Sequence, residues 1–101
     1  TLKATMPDTI IKILKKPWKI GGQVATEIEV RPSTIGDVCD AEKEVSSFQV
    51  NAFTIEMACR QIVRAGQFTG PFVKSHFTAM RSTQLTEIKA ALQEADALGE
   101  E

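Results

Sequence analysis

The stretch Gly21–Val38, GGQVATEIEVRPSTIGDV, decides the fold prediction because it joins a turn, a strand and a helix start within eighteen residues. The doublet Gly21-Gly22 supplies the positive φ angles that a tight hairpin turn requires. Residues 24–31 alternate between two chemical classes, which is the period of a strand with one buried face. The predicted buried face carries Val24, Thr26, Ile28 and Val30, and the wet face carries Ala25, Glu27, Glu29 and Arg31. The stretch therefore predicts the second strand of a β-hairpin.

The end of this strand also predicts the start of a helix. Pro32 cannot donate a hydrogen bond to a ladder and ends the strand, after which Ser33 or Thr34 caps a helix. Thr34 with Asp37 three residues later resembles a capping box, with Asp in place of the usual Glu. The helix is predicted to run to about Glu44. Its inward stripe is predicted to consist of Ile35, Val38, Cys39, Glu42 and Val45.

On the N-terminal side, a β-branched run predicts the partner strand of the hairpin. Its apolar residues are Ile10, Ile11, Ile13 and Leu14, interspersed with Lys12, Lys15 and Lys16. Pro17 ends this strand or lies at its edge. We expect cross-strand ion pairs between these lysines and the carboxylates of the second strand. Because a two-stranded hairpin is marginal alone, its apolar face must pack on helices of the same chain or on a strand of another chain.

The rest of the chain is predicted to be helical. Ser46-Ser47 caps a second helix that ends at Gly66, Pro71 opens a short third helix, and Ser82 or Thr83 starts a last one. The inward stripe of the last helix is Leu85, Ile88, Leu92 and Ala95. The predicted class is α+β, an N-terminal two-stranded antiparallel β-hairpin followed by three to four helices packed as a small helical bundle. We expect a single domain, 1–101, with a flexible lead-in at 1–9, the hairpin at 10–31, the helical part at 33–97 and a frayed tail at 98–101.

The composition excludes some function classes and favours none. Of the 101 residues, 43% are hydrophobic and 25% are charged, and the net charge is −1. These values predict a folded domain and argue against a nucleic-acid binder, which would be basic. No signal peptide is recognised and no apolar run approaches the roughly 20 residues that cross a bilayer, so we expect no membrane association and a cytoplasmic location. The first twenty residues hold five lysines and one aspartate, and residues 87–101 hold five carboxylates and one lysine, a polarity that would steer association.

No group of residues predicts an active site, a cofactor site or a metal site. His76 is the single histidine, and a surface or helix-packing role is favoured over catalysis because no orienting group accompanies it. A solvated acidic face at a helix start is favoured over a metal site for Asp37, Asp40 and Glu44. The two cysteines, Cys39 and Cys59, are interpreted as buried, reduced thiols.

Two further groups of side chains have both a structural and a binding interpretation. Lys12, Lys15, Lys16 and Lys19 with Trp18 form either the guard of an exposed edge strand, which is favoured, or a basic and aromatic patch for nucleic acid. The phenylalanines at 48, 53, 68, 72 and 77 form either a shared core, which is favoured, or a groove for an apolar partner helix. The sequence does not separate the two interpretations of the phenylalanines.

Arg31, Pro32, Thr34, Gly36 and Asp37 resemble the strand-to-helix motif of the Mu-like tail assembly chaperone family of long-tailed bacteriophages. The family pattern is R-E-P-T-x-G-D-L, whereas here Arg31 directly precedes Pro32 and a valine replaces the leucine. The segment GQFTGPFVKSHFTAMRSTQLTEIKAAL is also similar to the family's second corner and closing helix, with a phenylalanine in place of a leucine. The likeness covers residues 10–92.

This resemblance implies a protein that is not an enzyme and that acts in a phage or prophage context. Members of the family are thought to bind the tape-measure protein, keep it soluble in the host cell cytoplasm and help recruit tail-tube subunits. The alternative is a small virion structural protein, such as a tail-completion or connector subunit. We expect the motif residues to be structural, with Arg31 paired to Asp37 or Glu29. Self-association is expected, and the residues predicted to contact the partner are Leu85, Ile88 and Leu92.

Overall fold

The computed structural model describes residues 9–99, and the sheet it contains has three strands in the order β1-β2-β3, all antiparallel. The elements in chain order are β1 (Ile10–Ile20), β2 (Gln23–Val30), α1 (Ile35–Glu44), α2 (Val50–Gln61), β3 (Ile62–Ala65), a 3₁₀ turn (Lys74–His76) and α3 (Ser82–Gly99). Most of the lead-in predicted at 1–9 and the last two residues of the tail predicted at 98–101 lie outside the described residues. The α+β character agrees with the sequence prediction, but the architecture does not.

The predicted architecture, a two-stranded hairpin followed by a helical bundle, is wrong because of β3. The second helix was expected to continue to Gly66, but α2 ends at Gln61 and the next four residues pair with β2. Ile62 and Val63 are β-branched, so they fit a strand at least as well as a helix. Gly66, with φ of 58°, does not end a helix; it begins the turn that returns the chain from Ala65 to Phe68.

The hairpin turn itself is confirmed. Ile20 pairs with Gln23, so the loop has two residues, and Gly21 and Gly22 adopt φ angles of 59° and 75°. These values belong to the turn type that matches the twist of a hairpin. A Cβ atom at Gly21 would also collide with the ring of Phe68, so glycine is required there for space as well as for conformation.

A wide bulge divides β1 and changes which residues of β2 face the core. Ile13 pairs with Glu27 but Trp18 pairs with Ala25, so residues 14–17 of β1 lie opposite a single residue of β2. Pro17 therefore lies inside the strand, in the bulge, where it need not donate a ladder hydrogen bond. As a result Ala25 is buried and Val24 is exposed, the reverse of the predicted faces, while Ile28 and Val30 are buried as predicted.

The core lies between one face of the sheet and the helices. Trp18 lies at its centre, with ring centroids 5.1 Å from Phe77 and 6.4 Å from Phe72, and its indole nitrogen donates to the carbonyl oxygen of His76. Such aromatic pairs stabilise a fold beyond the area they bury. The shared aromatic core is thus confirmed for the series, except that Phe48 is 92% exposed. From α3 the core receives Ile88, Ala91, Leu92 and Ala95.

The helix predictions are confirmed for the end of the first helix and for the start and inward stripe of the last one. The first helix ends at Glu44 as predicted, but of its residues only Ala41 is buried, and Ile35 and Cys39 are exposed. The helix predicted to open at Pro71 is only a 3₁₀ turn beginning at Lys74. Within residues 9–99, no helix combines the length and the apolar character that crossing a bilayer requires.

Candidate functional site

Four of the five residues that carry the family resemblance, all except Gly36, form one hydrogen-bonded corner between β2 and α1. The guanidinium of Arg31 donates to both carboxylate oxygens of Asp37, at 2.9 and 3.0 Å, and to the carbonyl oxygen of Pro32 at 2.9 Å. A two-pronged arginine–carboxylate pair is stronger and more directional than a single contact. Of the two partners predicted for Arg31, Asp37 is confirmed. Glu29 instead accepts hydrogen bonds from Thr9 and Arg64.

The start of α1 is held by the capping box that the sequence predicts. The hydroxyl oxygen of Thr34 accepts from the backbone N–H of Asp37 at 3.1 Å, and the Asp37 carboxylate accepts from the backbone N–H of Thr34 at 2.9 Å. The hydrogen bonds from Arg31, opposed by partial burial and aided by those from Thr34, hold the pKa of Asp37 below its usual range. One carboxylate thus stabilises the helix start and the chain that enters it.

A second carboxylate, Asp96 of α3, completes the corner and was missed by the sequence analysis. Its Oδ1 accepts from the backbone N–H of Ser33 at 2.8 Å and from the side-chain amide of Gln61 at 3.2 Å. Gln61 is 1% exposed, and its amide also donates to the carbonyl oxygen of Arg31 at 3.0 Å. The signal that would have found Asp96 is its spacing, because it lies four residues beyond Leu92 on the buried stripe of α3.

Pro32 and Gly36 have unequal roles in this corner. Pro32 lies two residues beyond the end of β2, and its carbonyl oxygen accepts a hydrogen bond from Arg31. At Gly36, by contrast, φ is not positive, and a Cβ atom would meet only the Thr34 hydroxyl oxygen at 3.5 Å, an ordinary contact distance. Within residues 9–99, neither the backbone conformation nor the space at this position requires a glycine.

The three residues predicted to contact a partner lie on the inner side of α3. Ile88 is 1% exposed, Leu92 is buried with it, and Leu85 is half-buried against the same core. In the folded domain these side chains cover the sheet of their own chain. A partner-binding surface has to be sought elsewhere on the molecule.

The opposite charges at the two ends of the chain meet in a cleft between β1 and α3. The ammonium group of Lys12 lies 3.1 Å from a carboxylate oxygen of Glu94, and the carboxylate of Glu87 accepts from the backbone N–H of Lys15 at 3.0 and 3.3 Å. The cleft measures about 360 Å³, and its walls also include Lys16, Thr83, Gln84, Thr86 and Ala90. Of the β1 lysines only Lys12 forms an ion pair within residues 9–99, and its partner is on α3; Glu27 and Glu29 of β2 pair with Arg64, so the predicted cross-strand pairs with β2 are wrong.

The other face of the sheet is partly exposed and carries both charge and apolar surface. Arg64 of β3 bridges Glu27 and Glu29 of β2, each at 2.9 Å. Beside them on β1, Ile11 is 56% exposed and Ile13 is 67% exposed. Two neighbouring β-branched side chains exposed on an edge strand are typical of a surface that another chain covers.

The groups considered for other chemistry have structural surroundings. Trp18 is buried and cannot stack on a nucleic-acid base, and the Nδ1 atom of His76 accepts from the backbone N–H of Val73 at 3.1 Å. Burial raises the pKa of the Cys59 thiol to about 11, whereas Cys39 is exposed, so the prediction that both cysteines are buried is wrong for Cys39. Within residues 9–99, no three acidic, histidine or cysteine side chains are grouped as metal ligands.

Comparison of the chain with protein-family models, with curated proteins and with solved structures found no match. The membership of the tail assembly chaperone family that the sequence analysis infers therefore stays a prediction. What the molecule itself offers is a corner that joins a strand to a helix, and an edge strand beside a charged cleft.

Proposed function

We propose that this protein is a phage tail assembly chaperone that binds the tape-measure protein, keeps it soluble and aids assembly of the tail tube. The observation that carries the proposal is the corner of Arg31, Pro32, Thr34 and Asp37. Four of the five residues that resemble the family motif contact one another at a strand-to-helix junction. Residues that together stabilise one junction of a fold are expected to recur in proteins that share the fold.

The surface of the domain supports the same proposal on physical grounds. A tape-measure protein is long, and a chaperone for it has to cover exposed apolar segments without forming a permanent complex. Strand addition at a sheet edge and helix docking in a groove are the two common ways to do this. The domain has an edge strand, β1, with Ile11 and Ile13 exposed on it. The work proposed for it would take place in the host cell cytoplasm, before the virion is complete.

Co-expression with the tape-measure protein of the same genome tests the proposal. We expect the chaperone to increase the soluble fraction of the tape-measure protein several-fold and to co-purify with it through a tag on either chain. The matched control is an unrelated small α+β protein expressed at the same level. If neither the solubility nor the co-purification exceeds that control, the proposed function is wrong.

Analysis of purified virions separates a chaperone from a virion component. A chaperone leaves before the particle is finished, so its peptides should be absent from virions in which tail-tube peptides are abundant. Peptide mass spectrometry on gradient-purified particles makes the comparison. Stoichiometric amounts of this chain in the particle would indicate a tail-completion or connector subunit and would contradict the chaperone function.

A further inference from the structure

Within residues 9–99, one side of the edge strand β1 is unpaired. In the part of the chain that the structure describes, β1 pairs with β2 alone, and no other strand lies along its outer edge. Residues 10–13 keep a regular ladder with β2 before the bulge begins, so their outward backbone groups have the spacing of a sheet edge. The outer side of such a ladder is a template for another extended chain.

The cleft with α3 lies directly beside this edge. One wall of the cleft is formed by β1, through Lys12, Lys15 and Lys16. The other is formed by the N-terminal half of α3, through Thr83, Thr86 and Ala90. A groove between an edge strand and a helix is the site at which peptide-binding domains add a strand, since the sheet supplies hydrogen bonds and the groove receives alternate side chains. The geometry thus fits an extended segment better than a helix.

The charges of the cleft select the occupant. Glu94 is paired with Lys12 and Glu87 with a backbone N–H, while within residues 9–99 the ammonium groups of Lys15 and Lys16 make no ion pair. A second copy of this chain would bring its own β1 lysines against these, and like charges on neighbouring strands are destabilising. Carboxylates on the side of the added strand that faces α3 would instead complement them.

The opposite side of the edge favours apolar residues. Ile11 and Ile13 point away from the cleft and stay more than half exposed. Because successive side chains of a strand point to opposite faces, an added strand would place every second residue beside these two isoleucines. We propose that the edge of β1 and its cleft with α3 bind an extended segment of a partner protein in which acidic residues alternate with apolar ones, as a fourth strand. This proposal does not depend on the proposed function.

Synthetic peptides test the chemistry of the occupant. An eight-residue peptide of alternating Glu and Val, with a fluorophore at one end, should bind the full chain with a Kd below about 100 μM by fluorescence anisotropy, and more weakly as salt is raised. A peptide of alternating Lys and Val should bind at least tenfold more weakly. The Glu–Val peptide with N-methyl groups on alternate backbone nitrogens keeps its charge but cannot pair, and should also lose at least tenfold.

Paired variants test the position of the site. The double substitution Lys15→Gln/Lys16→Gln should weaken binding of the Glu–Val peptide about fivefold or more. The matched control, Lys43→Gln/Lys74→Gln, removes the same charge from exposed lysines that do not line the cleft, and should leave the Kd within twofold. Both proteins are first compared by thermal unfolding, so that a binding loss is not a folding loss.

Four results would overturn the proposal. The first is the absence of binding of the Glu–Val peptide up to about 1 mM. The second and third are binding of the N-methylated peptide, or of the Lys–Val peptide, as tight as that of the Glu–Val peptide. The fourth is a loss of affinity in the Lys43→Gln/Lys74→Gln control as large as that in Lys15→Gln/Lys16→Gln. Light scattering on the same samples shows whether a second copy of the chain, and not a peptide, occupies this edge. A dimer that forms through Ile11 and Ile13 and excludes the peptide would assign this edge to a second copy of the chain.

Discussion

Removal of the Asp96 carboxylate should destabilise the domain more than removal of the carboxylate of Glu87 or Glu94, the other two acidic residues of α3. Its Oδ1 accepts two hydrogen bonds, from the backbone of Ser33 at 2.8 Å and from the buried amide of Gln61 at 3.2 Å. In Asp96→Ala both donors lose this acceptor. The amide of Gln61 keeps only its bond to the carbonyl oxygen of Arg31.

The expected cost follows from these two donors. A hydrogen bond to a charged group contributes about 1.5–3 kcal/mol, and a buried donor left unpaired costs a comparable amount. Ser33 is only half-buried, so water replaces part of its bond, and Gln61 retains one partner. We therefore expect Asp96→Ala to lower the free energy of unfolding by about 2–3 kcal/mol, which corresponds to a fall in Tm of roughly 10–20 °C for a domain of this size. Asp96→Asn keeps an acceptor oxygen and should cost about half as much.

Urea and thermal unfolding followed by circular dichroism measure both quantities. The matched control is Gln93→Ala, an exposed position on the same helix, which should change the free energy of unfolding by less than about 0.5 kcal/mol. A double-mutant cycle with Gln61→Leu should give a coupling energy of at least about 1 kcal/mol between the two residues. If Asp96→Ala is no more costly than Gln93→Ala, the corner does not depend on this carboxylate and the reasoning fails.

Three further predictions concern single residues. The pKa of Asp37 is lower in the folded state than in the unfolded chain. Its contribution to stability is therefore present above about pH 4 and is lost as the pH falls through the folded pKa. Acid unfolding monitored by circular dichroism should be less steep in Asp37→Asn than in the unchanged protein. Cys59, with its thiol pKa near 11, should react with iodoacetamide at pH 8 at least about a hundredfold more slowly than exposed Cys39, as peptide mass spectrometry would measure, and equal rates would contradict the burial. Gly36→Ala should raise the free energy of unfolding by about 0.5–1 kcal/mol in urea titrations, because alanine favours the helix and meets no close contact; a loss of stability would reveal a role for glycine there.

The features that the sequence predicts well are those decided by neighbouring residues. The hairpin turn depends on Gly21 and Gly22, and the capping box depends on Thr34 and Asp37, so each is determined within four positions. The start of α3 and its buried stripe depend on a period that the sequence displays directly. In each case the local preference and the final packing agree.

The features that the sequence does not predict are decided by distant partners. Residues 62–65 continue the helical period of α2 although two of them are β-branched, and pairing with β2 together with the bridge from Arg64 to two glutamates accompanies the strand. Inside the bulge of β1, the backbone N–H of Lys15 donates to Glu87, 72 positions later in the chain. Asp96 likewise reaches a residue 63 positions away. The local sequence gives no sign of such contacts except where a polar residue occupies a position on the apolar stripe of a helix, as Asp96 does.

The residues that carry the family resemblance and those proposed to bind a partner form two separate sets, and this separation can be tested in one system. The corner around Arg31 and Asp37 holds the fold, whereas the lysines of the cleft have ammonium groups that contribute little to it, since exposed charges are worth less than about 1 kcal/mol. Asp96→Ala should therefore reduce the solubility of a co-expressed tape-measure protein only to the extent that it unfolds the domain. Lys15→Gln/Lys16→Gln should reduce that solubility at unchanged Tm if the proposed function is right and the cleft carries it. A variant that loses peptide binding yet still solubilises the tape-measure protein would place the chaperone surface away from β1, while leaving the strand-addition site intact as a site for another partner.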